Sequence, residues 1–331
     1  MVITKTPFRM SFFGGGTDMK EFYEEYGGSV LSTTFDKYCY VTARHLPKFF
    51  NYSSEFVYSH IERVTDIDQI QHPLIRNCMK YQKMHHIRLA YDADLPARTG
   101  LGTSSSFAVG MLNAFHALKG EMVDKKKLSD EAIYVERILC DEAGGIQDQI
   151  AASFGGLNRI DMDEDGYHVI PLVISRDRKQ ELNDSLMLFF TGFSHMSADV
   201  QEKVKENFQD KIHRLQDMKG MVGDAQNILT GKGNLTEFGR LLHESWQIKR
   251  SLSGGISTGE IDVMYDTAHK AGAEGGKLLG SGGGGFLLFY VDKDKKPYVK
   301  KALEKLLYVP FSFETGGTRI IYYREEEPVN F

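Results

Sequence analysis

The chain lacks several features that would each assign it to a class of protein. It has only three cysteines, at widely separated positions, which argues against a disulfide framework or a zinc site and favours a reduced compartment. It contains no apolar run of about 18 residues, so we expect no membrane-spanning helix. Its first residues lack the apolar stretch of a signal peptide. These absences predict a cytoplasmic protein with no membrane partner.

Positive charge is also scarce. The 40 lysines and arginines are outnumbered by 45 acidic residues, and they form no basic tract. Nucleic-acid binding would need a basic face, so we expect no nucleic-acid partner. The 331 residues are 41% hydrophobic, which is enough for a large core and for two domains. A small molecule is therefore the expected partner, and a homodimer is compatible with the sequence.

A glycine loop followed by hydroxyl side chains is the most informative motif. Residues Leu95 to Gly110 read L-P-A-R-T-G-L-G-T-S-S-S-F-A-V-G, between a predicted strand at Ile87 to Tyr91 and a predicted helix pattern at Phe107 to Leu118. Glycines let backbone N–H groups approach an anion, and a helix N-terminus adds unpaired N–H groups. A capped helix after a tight turn also uses Ser and Thr, but it does not need four consecutive hydroxyls after two glycines. The motif predicts phosphate binding.

Two other glycine-rich segments lie far away in the sequence. Pro7 to Asp18 reads P-F-R-M-S-F-F-G-G-G-T-D, and Leu278 to Tyr290 reads L-L-G-S-G-G-G-G-F-L-L-F-Y. No local turn explains all three segments. We therefore expect them to converge on one phosphate-bearing ligand.

Other phosphate-binding motifs fit less well. Gly280, Gly282 and Gly285 match the dinucleotide pattern G-x-G-x-x-G, but a strand is predicted to follow where a helix should begin. A Walker A loop fails because Lys277 is followed by Leu278 rather than Ser or Thr. No H-R-D or D-F-G segment of a protein kinase is present.

Taken in order, the three segments resemble the signature of the GHMP small-molecule kinases, such as galactokinase, homoserine kinase and mevalonate kinase. The central one is similar to P-x-x-x-G-L-G-S-S-A-A, beginning here at Pro96, with Thr103 in place of the first serine. The flanking F-F-G-G-G-T-D and the segment Gln147-Asp148-Gln149 look most like the branch that phosphorylates heptose phosphates.

The resemblance implies an α+β fold of two domains. These would be a ribosomal-protein-S5-like N-terminal domain at residues 1–180 and a ferredoxin-like C-terminal domain at residues 181–331. Local patterns agree with α+β content in both halves. Strands are predicted at the N-terminus over Val2 to Thr6, Phe8 to Phe13, Ser29 to Thr34 and Tyr38 to Arg44. Helices are predicted at Asp18 to Tyr26, Pro73 to His85, Ser129 to Cys140 and Gln147 to Phe154, with a mostly helical stretch from Ala198 to Gly272.

The resemblance also implies ATP and Mg²⁺ as cofactors. The residues expected to cradle the phosphates are Gly100, Leu101, Gly102, Thr103, Ser104 and Ser105. Ser104 and Glu136 are the expected metal ligands, and apolar neighbours suggest that Glu136 points inward. From periodicity alone, Glu136 can equally be a surface residue on an amphipathic helix.

The expected catalytic residues are Asp148 and Arg9. By resemblance, Asp148 takes the proton from the sugar hydroxyl or orients it, and Arg9 stabilises charge near the transferring phosphoryl group. The structural alternatives are a carboxylate that only favours its helix dipole and an ordinary strand arginine.

The acceptor is expected to lie against Gly15, Gly16, Thr17 and Asp18, with Gly283 and Gly284 approaching from the second domain. Galactokinases carry G-E-H-T-D at the first position, and the Glu and His contact galactose. Gly15 and Gly16 remove those contacts, which favours a larger or differently substituted sugar. Asp18 has a second reading as a helix N-cap.

A few other side chains have weaker claims on the acceptor. Lys37, Arg98 and His195 are candidates for meeting a phosphate on it. Trp246 would line the acceptor side or, more simply, belong to a core aromatic stripe.

The function expected from the resemblance is transfer of the ATP γ-phosphoryl group to the anomeric hydroxyl of D-glycero-D-manno-heptose 7-phosphate. The product would be a bisphosphate used in nucleotide-heptose synthesis. A fucokinase or galactokinase is the first alternative. A non-catalytic sugar-binding relative is the second, although Arg9, Ser104, Glu136 and Asp148 are all intact.

Overall fold

A computed structural model describes residues 1–192, 211–252 and 255–326. Two long paired strands form its centre. Strand β1 covers Val2–Phe13 and strand β2 covers Gly28–His45, and the two run antiparallel. The sequence predicted each of them as two shorter strands. Proline has no N–H to donate, so the register shifts between Pro7 and Phe8 while the strand itself continues.

The first sheet is organised around β2. Its other strands among the described residues are β3 Ser54–Val57, β4 Ile61–Val64, β5 Ile87–Ala93, β6 Leu157–Asp163, β7 Gly166–Pro171, β12 Phe313–Glu314 and β13 Arg319–Tyr323. These nine strands follow the path β13-β1-β2-β5-β3-β4, with β6 and β12 also paired to β2. Besides β1, the long β2 pairs with β6 through residues 28–33 and with β5 through residues 39–45.

One buried helix lies against this sheet and begins at the glycine loop. Helix α3, Thr103–Leu118, is buried along almost its whole length because its residues are small or apolar. A Cβ at Gly110 would lie 2.8 Å from Thr6 Oγ1, so only glycine allows this closeness to β1. The other helices of this half are α1 Lys20–Tyr26, α2 Pro73–Tyr81, α4 Lys125–Ile133, α5 Gln147–Phe154 and α6 Arg176–Ser185.

The second sheet is smaller and wholly antiparallel. Its strands are β8 Leu186–Phe190, β9 Ala273–Leu278, β10 Phe286–Val291 and β11 Leu307–Val309. Their order in the sheet is β11-β8-β10-β9. The accompanying helices are α7 Ile212–Thr230, α8 Thr236–Ser251, α9 Gly259–Lys270 and α10 Lys296–Ala302. Trp246 of α8 is fully buried in the core beside this sheet, as the core reading of the sequence predicted.

The two sheets confirm the predicted α+β fold of two domains. The last strands of the chain, β12 and β13, return to the first sheet rather than joining the second. The division at residue 180 stays a prediction. Strand β9 lies just beyond the predicted helical stretch, part of which lies outside the described residues. No helix within those ranges is long and apolar enough to cross a bilayer.

Candidate active site

The glycine loop leads directly into α3, and its hydroxyls do not cap the helix. Gly102 is the N-cap residue with φ 71°, and no side chain in the described residues bonds to the cap. Ser104 Oγ instead donates to Glu136, and Ser106 Oγ donates to the Pro7 carbonyl. Thr103 Oγ1 accepts from the backbone N–H of Arg98. The capped-helix reading therefore fails, and the first turn of α3 keeps backbone N–H groups for a ligand.

The third glycine segment, between β9 and β10, packs against the glycine loop backbone to backbone. A Cβ at Gly280 would lie 2.3 Å from the Cα of Gly100, and a Cβ at Gly285 would lie 2.2 Å from the Thr99 carbonyl oxygen. Gly283, whose N–H donates to the Ile256 carbonyl at 3.1 Å, and Gly284 lie in the same turn. The structure thus brings together segments that are almost two hundred residues apart.

Asp148 and Arg9 form a two-bond ion pair beside the loop. Arg9 Nε lies 2.7 Å from Asp148 Oδ1, and Arg9 Nη2 lies 2.8 Å from Oδ2. The third donor of the guanidinium, Nη1, bonds to the Gly100 carbonyl at 2.7 Å. Arg9 is buried, whereas the side chain of Asp148 is 22% exposed. The carboxylate is therefore fixed in orientation by a planar fork and is still partly exposed.

Asp18 is held in a turn next to this pair. Its Oδ1 accepts from the Gly16 N–H at 2.9 Å, and its Oδ2 accepts from Gln147 Nε2 at 2.9 Å. Helix α1 begins only at Lys20, and its N-cap residue is Met19. The alternative reading of Asp18 as a helix cap is therefore wrong. A Cβ at Gly145 would lie 1.9 Å from Asp18 Oδ2, so glycine there is needed for this contact.

Gly15 and Gly16 occupy the same turn, and Thr17 anchors it. Thr17 Oγ1 donates to the carbonyl oxygens of Gly14 and Ser29 at 2.8 and 2.9 Å. A Cβ at Gly15 would meet only ordinary contacts, 3.6 Å from Ser11 Oγ. Gly16 has φ 104°, which favours glycine. The turn would therefore accept a side chain at Gly15, in ordinary contact with Ser11 and Gln147.

Ser104 and Glu136 meet at the first turn of α3. Glu136 is 1% exposed, and its oxygens accept from Ser104 Oγ at 2.8 Å and from Gln149 Nε2 at 2.6 Å. The surface alternative for Glu136 is therefore excluded. The predicted helix from 129 to 140 was only partly right, because α4 ends at Ile133 and a π-helical turn, Tyr134–Leu139, carries Glu136. Single π-turns are frequent at functional sites.

The donor set fits a magnesium ion bound with phosphate. Mg²⁺ takes a carboxylate or two together with substrate phosphate oxygens and water, and one hydroxyl and one carboxylate lie here at the mouth of the loop. Their hydrogen bond to each other holds both oxygens in place. Among the described residues there is no cluster of three His, Cys, Asp or Glu side chains, so a site of this kind would depend on the phosphate for further ligands.

Two buried lysines at this site were missed by the sequence reading. Lys249 of α8 is 9% exposed and donates to the Gly280 carbonyl, and Lys277 of β9 is 1% exposed and donates to the Phe12 carbonyl at 2.8 Å. Burial and nearby positive charge lower the pKa of Lys249 to about 8 and that of Lys277 well below its usual range. The signal for Lys249 was its spacing of three from Trp246, which places both on the buried face of α8.

The three weaker candidates for binding a phosphate on the acceptor have different surroundings. Lys37 pairs with Asp36 at 3.2 Å. Arg98 lies in the turn before the glycine loop with φ 61°, a conformation that is uncommon for a residue with a side chain. His195 lies outside the described residues.

Comparison with known proteins places the chain in a family. Residues 71–156 match the family described as GHMP kinases N terminal domain, and residues 225–309 match GHMP kinases C terminal. A D-glycero-alpha-D-manno-heptose 7-phosphate kinase from Campylobacter jejuni is 29% identical over 333 aligned residues, covering 96% of this chain and 97% of that protein. The L-fucokinase/L-fucose-1-P guanylyltransferase of Bacteroides fragilis is 29% identical over 63% of this chain but only 22% of its own length.

A solved structure is similar over the whole chain. The crystal structure of a D-glycero-D-manno-heptose 1-phosphate kinase from Bacteroides thetaiotaomicron superimposes with a TM-score of 0.80 at 27% identity, covering 98% of this chain and all of that one. Both family domains occur here in order, together spanning about half of the residues. The chain therefore belongs to the family of GHMP kinases.

Proposed function

We propose that this protein is an ATP-dependent sugar kinase that phosphorylates D-glycero-D-manno-heptose 7-phosphate on its anomeric hydroxyl. One observation carries the kinase chemistry: the Arg9–Asp148 pair, with Nε–Oδ1 at 2.7 Å, stands beside the glycine loop and the Asp18 turn. Three free cysteines, two of them buried, support the cytoplasmic setting expected from the sequence.

Each role in phosphoryl transfer has a candidate among the described residues. ATP, when bound, supplies the phosphoryl group, and residues 100 to 105 cradle its phosphates. Ser104 and Glu136 would hold Mg²⁺, which would neutralise phosphate charge. Asp148 accepts the proton of the attacking hydroxyl, and Arg9 fixes the direction of that carboxylate. Asp18 accepts a hydrogen bond from a second hydroxyl of the sugar.

The absence of a side chain at Gly15 supports an acceptor that differs from the hexose of galactokinases. The position lies beside Ser11 and Gln147, whose Oγ and Oε1 atoms are buried and have no partner among the described residues. Buried polar atoms without partners are costly unless a ligand completes them. A sugar hydroxyl is the kind of group that would do so.

The two similar heptose kinases differ in the position of the acceptor phosphate in their names, 7 in one and 1 in the other. The test is therefore ADP release with heptose 7-phosphate, heptose 1-phosphate, galactose and fucose under one set of conditions. We expect heptose 7-phosphate to be used best. Preference for the 1-phosphate would mean that a hydroxyl other than the anomeric one attacks. Preference for a hexose would favour a galactokinase or fucokinase. No turnover with any sugar would favour the non-catalytic relative.

A further inference from the structure

Lys249 is a buried ammonium with too few partners. It lies on the inner face of α8 and donates to the Gly280 carbonyl, which is the only hydrogen bond of its ammonium among the described residues. An ammonium has three N–H donors and is strongly hydrated in water. Burying it with a single carbonyl partner costs stability, and it leaves two N–H donors that a bound ligand could satisfy.

The charged groups around Lys249 come from three elements and one turn. Arg9 of β1 and Lys277 of β9 bring positive charge, and Asp18 before α1 and Asp148 of α5 bring negative charge. Burial and then Arg9 lower the pKa of Lys249 to about 8, while the two carboxylates oppose the shift. The ammonium therefore lies near both the proton acceptor and the residue expected to bind the sugar, and it remains mostly charged at neutral pH.

We propose that Lys249 is a catalytic residue of the second domain, whose ammonium binds the phosphoryl group as it passes from the nucleotide to the acceptor oxygen. The inference rests on the proposed kinase reaction at Asp148. A new P–O bond forms at the acceptor oxygen, the bond to the leaving oxygen of ADP breaks, and the hydroxyl proton goes to Asp148. Lys249 keeps its protons and contributes positive charge where negative charge moves.

The position of Gly280 favours this role over binding of the acceptor's own phosphate. Gly280, which accepts the bond from Lys249, packs directly on Gly100 of the glycine loop. The same Gly100 carbonyl accepts from Arg9. Lys249 is thus tied to the end of the cleft where the phosphates are cradled, whereas the 7-phosphate of a heptose is remote from its anomeric hydroxyl.

The second buried lysine has a different role. Lys277 bonds to the Phe12 carbonyl of β1 and joins the second sheet to the first. We therefore assign the catalytic role to Lys249 alone.

The test is Lys249→Met beside a matched control, Lys296→Met. Lys296 is a less buried lysine of the second domain that also has one carbonyl partner, Leu186 at 3.3 Å, and the charge acting on it is Asp184. We expect Lys249→Met to lower kcat by about 10²- to 10³-fold, with binding of MgATP retained and Tm unchanged or raised. Lys296→Met should keep near-normal kcat. A normal kcat in Lys249→Met overturns the proposal, as does a rise in acceptor KM at unchanged kcat.

The pH profile supplies a readout that a structural lysine would not give. Wild-type kcat should decline as the pH rises through about 8, where Lys249 loses its proton. The residual activity of Lys249→Met should lack that decline, and Lys249→Arg, which stays charged, should shift it upward. An unchanged basic limb in Lys249→Met would also overturn the assignment.

Failure of the heptose assignment can be told apart from failure of this inference. The wild type is first tested on the sugar panel, and the variants are then measured with whichever sugar it uses best. If it uses none, ADP release with water as the acceptor is compared instead. A wild type that prefers galactose but loses turnover in Lys249→Met would refute the heptose substrate and support the role of Lys249.

Discussion

Glu136 and Asp148 are two carboxylates near one glycine loop, and their surroundings are opposite. Glu136 is 1% exposed and accepts hydrogen bonds from two neutral groups, Ser104 Oγ and Gln149 Nε2. The Asp148 side chain is 22% exposed and accepts two bonds from the guanidinium of Arg9. Within the part of the chain that the structure describes, Glu136 is sealed without a countercharge, whereas Asp148 is paired and partly exposed.

These different surroundings suit the two carboxylates to different chemistry. A buried carboxylate with only neutral donors keeps an uncompensated charge, which a divalent cation can neutralise. A carboxylate that is oriented by arginine and partly open can meet a substrate hydroxyl and accept its proton. We therefore propose that Glu136 binds the metal and that Asp148 accepts the proton, and substitutions at either residue test this division.

The largest effect is expected on the open side, from Asp148→Asn. The amide cannot accept the proton, so kcat should fall by about 10²- to 10⁴-fold while nucleotide binding is retained. A matched control is Asp161→Asn on β6, because Asp161 Oδ1 also lies 2.7 Å from an arginine Nε, that of Arg159. A near-normal kcat in Asp148→Asn would remove Asp148 from the mechanism.

The next effect concerns the acceptor, which we propose binds beside Asp148. Gly15 and Gly16 take the place of the Glu and His with which galactokinases contact their hexose, so galactose would leave buried polar atoms unpaired. Each unmade bond costs about 1–3 kcal/mol, and two would lower kcat/KM by roughly 10²-fold or more. We expect kcat/KM for heptose 7-phosphate to exceed that for galactose, fucose and mannose at saturating MgATP. A preference for a free hexose would refute the substrate while leaving the kinase reaction intact.

The two carboxylates also differ in how far sequence could predict their surroundings. The glycine loop is contiguous with the helix after it. The sequence predicted that helix from about Ser104 to Lys119, and it runs from Thr103 to Leu118. The inward direction of Glu136 depended on a π-turn, which an apolar 3.6-residue period does not reveal. The position of Lys249 at the site follows from the packing of α8 against the Gly280 turn. This contact joins separate segments, and no local sequence pattern indicates it.

At the buried carboxylate, Glu136, we expect substitutions to change the magnesium requirement. Ser104→Ala and Glu136→Gln should each raise the Mg²⁺ concentration for half-maximal rate, because each removes an oxygen ligand from the proposed site. Ser106→Ala is the control, since Ser106 Oγ is committed to the Pro7 carbonyl at 3.0 Å. Equal magnesium dependence in all three variants would exclude Ser104 and Glu136 as ligands.

The smallest effect is on stability, and it should have opposite signs at the two carboxylates. Glu136→Gln removes a buried charge that has no countercharge among the described residues. Gln149 can turn its Oε1, which also lacks a partner there, toward the new amide. The free energy of unfolding of the metal-free protein should therefore rise by an amount on the order of 1 kcal/mol, and its Tm should rise with it. Asp148→Asn instead leaves the buried guanidinium of Arg9 without its countercharge, and its Tm should fall.

Thermal unfolding in EDTA measures both variants against the wild type. Addition of MgADP should then raise the Tm of the wild type more than that of Glu136→Gln, because only an intact metal site gains the full binding energy. If both variants lowered Tm alike in EDTA, Glu136 would be a structural carboxylate whose charge is already balanced. The distinction between a sealed metal ligand and an open proton acceptor would then have to be abandoned.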